Sequence, residues 1–138
     1  MKTRKISKKL ITVTAFAVSI VFMSFTLVST LQQNKWEVPA KYKSMKNPVK
    51  ADDESKMAGK GLYNKNCASC HGKTGLGDGV KARSLATHPG DMSKDEFQNQ
   101  TDGEKFYKSM YGKGDMPSYE GKIAEEDMWN IVIYMNTF

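Results

Sequence analysis

Cys67 and Cys70 are the only cysteines in the chain, and His71 follows the second directly. The C-x-x-C-H spacing is that of covalent c-type haem attachment. Each thiol adds to one vinyl group, and two intervening residues let both sulfurs reach along one porphyrin edge. The next residue then projects its imidazole at the iron. Three other uses of this run are weaker. A zinc site needs two further ligands, and His88 is the only other histidine. A thioredoxin-like pair needs a strand before the motif, and no alternating segment leads into Cys67. A disulfide across two residues closes too short a loop to stabilise a fold much.

The surrounding pattern is helical. Ser55 is placed to cap a helix running to about Asn66. Phe106, Tyr107, Met110 and Tyr111 give a helical stripe over Asp102 to Tyr111. Glu125, Glu126 and Asp127 open a last helix, their charges suited to its positive end. The expected fold is all-α, with about three short helices and long loops. A domain of about 87 residues built this way has only a modest apolar core, which a bound macrocycle would complete.

Charge divides the chain. Lys2, Arg4, Lys5, Lys8 and Lys9 fill residues 1–9, and residues 32–51 carry five lysines against Glu37. From Asp52 onward there are eleven basic and fourteen acidic side chains, a balance of −3, although the whole chain is +6. The basic balance therefore lies outside the folded domain, which argues against a nucleic-acid-binding face there. Residues 10–31 carry no ionisable side chain. As a helix they would span roughly 33 Å, enough for the hydrocarbon core of a bilayer. Two export readings compete, a retained anchor and a cleaved signal, and the poor cleavage pattern at Val28-Ser29-Thr30 supports the anchor. Either one puts the basic end in the cytoplasm and Cys67 on the extracytoplasmic side of the cytoplasmic membrane. Residues 32–53 read as a linker broken by Pro39 and Pro48. Its apolar residues Trp36, Val38, Tyr42, Met45 and Val49 suggest that part of it lies against the domain, 54–138. A fully extended linker of about twenty residues would reach on the order of 60 Å.

The sixth iron ligand has three candidates. Met116 lies in Gly112-Lys113-Gly114-Asp115-Met116-Pro117, where Pro117 disfavours helix at Met116 and the glycines let the backbone approach the haem edge. Met92 also lies in a loop, and His88 would give bis-histidine ligation or else form a turn beside Pro89. Met110, Met128 and Met135 fall on helical patterns and suit a core.

From about Ser55 to Phe138 the chain resembles the class I bacterial cytochromes c. Gly59 and Tyr63 match the small and aromatic residues of that family's first helix. Cys67, Cys70 and His71 match its haem motif, and Met116-Pro117 its distal methionine motif. Ile131, Tyr134 and Met135 match terminal-helix positions that cross the first helix near Gly59. The run from Gly72 to Gly79 is similar to the glycine-rich loop of many members, although Val80 stands where proline is common. The resemblance implies a helical wrap around one low-spin haem c with His71 and Met116 as axial iron ligands. It also implies single-electron transfer between a redox-protein donor and acceptor of a respiratory chain, with no small-molecule substrate. Phe97, Phe106, Tyr107, Tyr111, Tyr119 and Trp129 are candidates to line the pocket. Three other readings stay open: a haem subunit fixed in a larger oxidoreductase, an open-site haem enzyme or sensor, and a thiol–disulfide oxidoreductase without haem.

Overall fold

A computed structural model describes residues 36–138. Val38–Phe138 form one compact unit. In chain order its helices are α1 (Ala40–Lys43), α2 (Asp53–Asn66), α3 (Ala68–His71), a 3-10 turn (Ala82–Ser84), α4 (Asp95–Gln98), α5 (Asp102–Tyr111) and α6 (Glu125–Met135). Among the described residues the extended pairing is limited to an isolated bridge between Lys113 and Met116, so the unit is all-α. No described helix is long and apolar enough to cross a membrane. The expected spanning segment, 10–31, lies outside the described residues.

α2 starts earlier than Ser55. Asp52 is the N-cap, its carboxylate accepting from the Ser55 amide at 3.1 Å, while Ser55 Oγ accepts from the Asp52 amide at 3.0 Å. Ser55 thus fills the third helical position of a capping box, satisfying two amides that the helix leaves unpaired. Thr101 and Glu104 form the same reciprocal box at the start of α5. α6 lacks a side-chain cap, and its three leading acidic residues face the positive end of the helix dipole instead.

The two long helices α2 and α6 pack on each other, and Gly59 sits at their closest approach. A β-carbon there would run into the Asn130 carbonyl and lie 3.1 Å from Tyr134 Cβ. Residues 130 and 134 are one helical turn apart and share a face of α6. The atoms nearest Gly59 are those of Asn130 and Tyr134, and Ile131 and Met135, expected near the same crossing together with Tyr134, are buried. Tyr63, fully buried, meets Tyr134 and Phe138 edge-on at 5.4 and 5.2 Å.

A second layer covers α6. Phe106 of α5 stacks on Trp129 at 4.1 Å, both buried. Across α5 lies the segment 38–49, which had been expected to be linker. Val38 and Tyr42 are buried, Tyr42 stands against Tyr107 at 4.7 Å, and its phenol shares a 2.8 Å hydrogen bond with Tyr111. Asn47 donates to the Trp129 carbonyl at 3.1 Å. The compact unit begins at Val38, because the apolar side chains of this stretch, expected to lie partly against the domain, find a face on α5 and α6. Polar contacts close the far end. Gln98 donates to the carbonyls of Met92 and Met135, and Lys105, 3 % exposed, donates to Gln98 O and Asn136 Oδ1. Burial holds the Lys105 ammonium below the ordinary lysine range, and Asp102 opposes the shift.

Two glycines of α2 should respond oppositely. Gly59→Ala forces the helices apart and should cost about 1–3 kcal/mol, despite better helix propensity. At Gly61 an added β-carbon meets nothing, so Gly61→Ala should stabilise by about 0.5–1 kcal/mol. Denaturant midpoints of the two variants check this. Equal effects would mean that the crossing is not close-packed. Removing the α5 cap in Thr101→Ala should cost about 1 kcal/mol in the same assay.

Candidate functional site

α2 and α3 meet at Cys67, which ends one helix and begins the other. The amides of Cys70 and His71 both bond the Cys67 carbonyl, at 3.1 and 3.0 Å. The motif is thus one helical turn. Positions i, i+3 and i+4 put Cys67, Cys70 and His71 on one face, which is how this spacing serves a single planar group.

The turn is held from behind. The glycine-rich loop folds back and gives its amides to the motif's carbonyls: Gly77 to His71 at 2.8 Å, Gly79 to Cys70 at 3.2 Å and Lys81 to Ser69 at 2.8 Å. These are the C-terminal carbonyls that a helix this short leaves without partners. The loop amides are spent on the motif itself, so they form no phosphate cradle. The helix-ending carbonyls on either side go to phenols. Tyr63 donates to Gly72 O at 2.9 Å, and Tyr119 to Asn66 O at 2.7 Å.

The donor set fits a covalent haem. Both cysteines are free thiols, half-buried. Burial, and then Cys70, push the Cys67 thiol up to about 12. A catalytic dithiol needs the opposite shift, so this environment disfavours thiol–disulfide exchange. Burial also lowers the His71 pKa and favours its neutral, ligating form. His71 Nδ1 is buried and without a hydrogen-bond partner. A buried polar atom left unpaired is costly, and this one belongs to the same turn as two free thiols. Among the described residues no three His, Cys, Asp or Glu side chains cluster to hold a metal ion by themselves.

Met116 enters on another segment. α5 stops at Gly112, whose positive φ of 65° lets the chain reverse, and Lys113 and Met116 exchange both backbone hydrogen bonds at 3.0 and 3.1 Å. A β-carbon at Gly112 would meet the carbonyls of Met116 and Pro117. Gly112 is thus closely packed against its own hairpin. The Asp115 carboxylate accepts from the amides of Ala86 and Thr87 at 2.7 and 3.1 Å, tying the hairpin to the loop opposite.

The other ligand candidates are engaged elsewhere. His88 is exposed, and its Nδ1 accepts from the Gly90 amide at 3.1 Å in a tight turn. Met92 is buried in the core with its sulfur 4.0 Å from the Tyr63 hydroxyl. Of the aromatic candidates, Phe106 and Trp129 are stacked core, and Tyr107 and Tyr111 pack on Tyr42. Phe97 lies under the Lys105 ammonium at 5.1 Å. Tyr119 donates to the Asn66 carbonyl on the flank of the motif. Sequence reasoning missed the clamping by Tyr119 and Tyr63 and the tie from Asp115 to the loop at 86–87. No local pattern reports a phenol reaching a carbonyl 53 residues away, or a carboxylate reaching amides 28 and 29 residues away.

A family model described as "Cytochrome C oxidase, cbb3-type, subunit III" matches residues 54–135, more than half of the chain. No curated protein sequence matches. Among solved structures, a chain of the Kuenenia stuttgartiensis reducing HAO-like protein complex Kustc0457/Kustc0458 superposes with a TM-score of 0.61 at 20% identity, a likeness of fold. The match covers 78% of this chain and 52% of that one, so this chain spans about half the length of its structural relative. With the attachment turn, the loop that backs it and the family match in agreement, the chain belongs to the cytochrome c family of the cbb3 subunit III type, its cytochrome c domain lying at residues 54–135.

Proposed function

We propose that this chain is a single-electron carrier holding one haem c, bonded through Cys67 and Cys70, with His71 and Met116 as the axial ligands. The observation that carries the reading is the attachment turn, which presents two free thiols and a buried imidazole nitrogen without a partner on one face. Bound there, haem c supplies reversible one-electron storage. The chain's residues do the rest. His71, neutral because it is buried, offers a lone pair. Met116, a soft sulfur donor, favours the ferrous state and so raises the potential. Filled axial positions leave no site for oxygen or a substrate. Engagement of His88 in its own turn, and of Met92 in the core, supports Met116 as the distal ligand.

Residues 10–31 are proposed to anchor the domain in the cytoplasmic membrane, with the haem on the extracytoplasmic side. Because the compact unit begins at Val38, the stretch of sequence between the proposed anchor and that unit is shorter than the linker 32–53. The family description favours a second reading, in which the chain is a haem subunit fixed within a larger oxidase. Copurification at constant stoichiometry in mild detergent would select that reading over a free shuttle.

Absorption spectra of the haem-loaded protein test the ligation. The ferric protein should show the weak long-wavelength sulfur-to-iron band. Met116→Ala should abolish that band and lower the potential while leaving the haem covalently bound, and His88→Ala should change neither. Loss of the low-spin spectrum in His88→Ala, or survival of the band in Met116→Ala, would overturn the assignment. A parent protein that is high-spin, or binds carbon monoxide readily when reduced, would instead be an open-site haem protein.

A further inference from the structure

The two phenols that flank the attachment turn come from different places. Tyr63 belongs to α2, only nine residues before the Gly72 carbonyl that it holds. Tyr119 lies three residues after Met116 and reaches back 53 residues to the Asn66 carbonyl, directly before Cys67. Its side chain is half-buried against the core.

The backbone around Tyr119 is also fixed. The amides of Tyr119 and Glu120 and the hydroxyl of Ser118 all donate to the Met110 carbonyl, at 2.8, 3.1 and 3.2 Å. The Met116 loop is therefore fastened at its start by the Lys113–Met116 exchange and the Asp115 contacts, and at its end by the Met110 carbonyl. These bonds set the loop against α5 and the loop at 86–87. The Tyr119 hydroxyl is the contact that registers it against the haem-attachment turn.

We propose that Tyr119 is a positioning residue: its hydrogen bond to Asn66 O sets the Met116 loop against the Cys67–His71 turn and keeps the Met116 sulfur in place against competing ligands. The proposal rests on the His71/Met116 ligation above. It assigns Tyr119 no contact with the iron. Without the hydroxyl, the loop opens more often, and an added ligand that needs the open state binds with an affinity raised in proportion to that population.

The test is titration of the ferric, haem-loaded full-length protein with imidazole, followed by loss of the sulfur-to-iron band. Tyr119→Phe keeps the ring in the core and removes only the hydroxyl. It should bind imidazole roughly 3- to 10-fold more tightly than the parent, the range expected for losing one hydrogen bond. Thr101→Ala, which lowers global stability far from either flank of the motif, should bind it as the parent does. Unchanged affinity in Tyr119→Phe would overturn the proposal and leave the ligation standing. Equal tightening in Thr101→Ala would also overturn it, since the titration would then report global stability. A sulfur band absent from the parent, or present in Met116→Ala, would remove the ligation and this proposal with it, a result recognisable before any imidazole is added.

Discussion

The contact between Gly59 and the Asn130 carbonyl sets the distance between α2 and α6, and the site depends on that distance. α2 delivers the attachment turn from its last residue, so the position of Cys67 follows from how α2 sits on α6. The crossing also buries Tyr63, whose phenol then reaches the Gly72 carbonyl and fixes the far end of the turn. A side chain at the crossing would move both ends of the motif together. In a small core with few apolar residues to spare, one close backbone approach contributes more than its contact area suggests, because it sets the register of everything packed around it.

The site uses backbone carbonyls as its attachment points. The carbonyls of Ser69, Cys70 and His71 accept loop amides, and those of Asn66 and Gly72 accept phenols. Short helices leave their terminal carbonyls without partners, and buried ones must be satisfied somewhere. Here that need is met by the segments that shape the site: the glycine-rich loop, α2 and the stretch after Met116. The same physical requirement that ends the helices properly also gathers the site's parts around one turn.

The segment 38–49 shows how tertiary context overrides local reading. Two prolines and recurrent lysines give it the composition of a linker, and its exposed lysines keep that character. Yet Val38 and Tyr42 are buried, and Tyr42 joins an aromatic group with Phe106, Tyr107 and Tyr111. Four-residue helices such as α1 and α4 carry too little periodicity to be seen in sequence, and they exist because a neighbouring surface holds them. The domain gains a second layer on α6 by this route.

Much of this protein was legible one residue at a time. The Cys67-x-x-Cys70-His71 spacing fits one turn of helix, so attachment chemistry and the shared face follow from covalent geometry alone. The stripes of α5 and α6, and the burial of Met110, Met128 and Met135, follow from helical periodicity, which is local. The start of α2 was misplaced by three residues because Asp52 and Ser55 are both good caps, and only their reciprocal hydrogen bonds show which one is outside the helix. Other features needed the chain folded. The Asn130 carbonyl meets Gly59 because of the way two helices pack, and Tyr119 meets Asn66 because a loop returns from far along the sequence. Sequence determines what a residue can do and which face of its own helix it occupies. Contacts between distant segments depend on how those faces pack, and only the tertiary structure decides that.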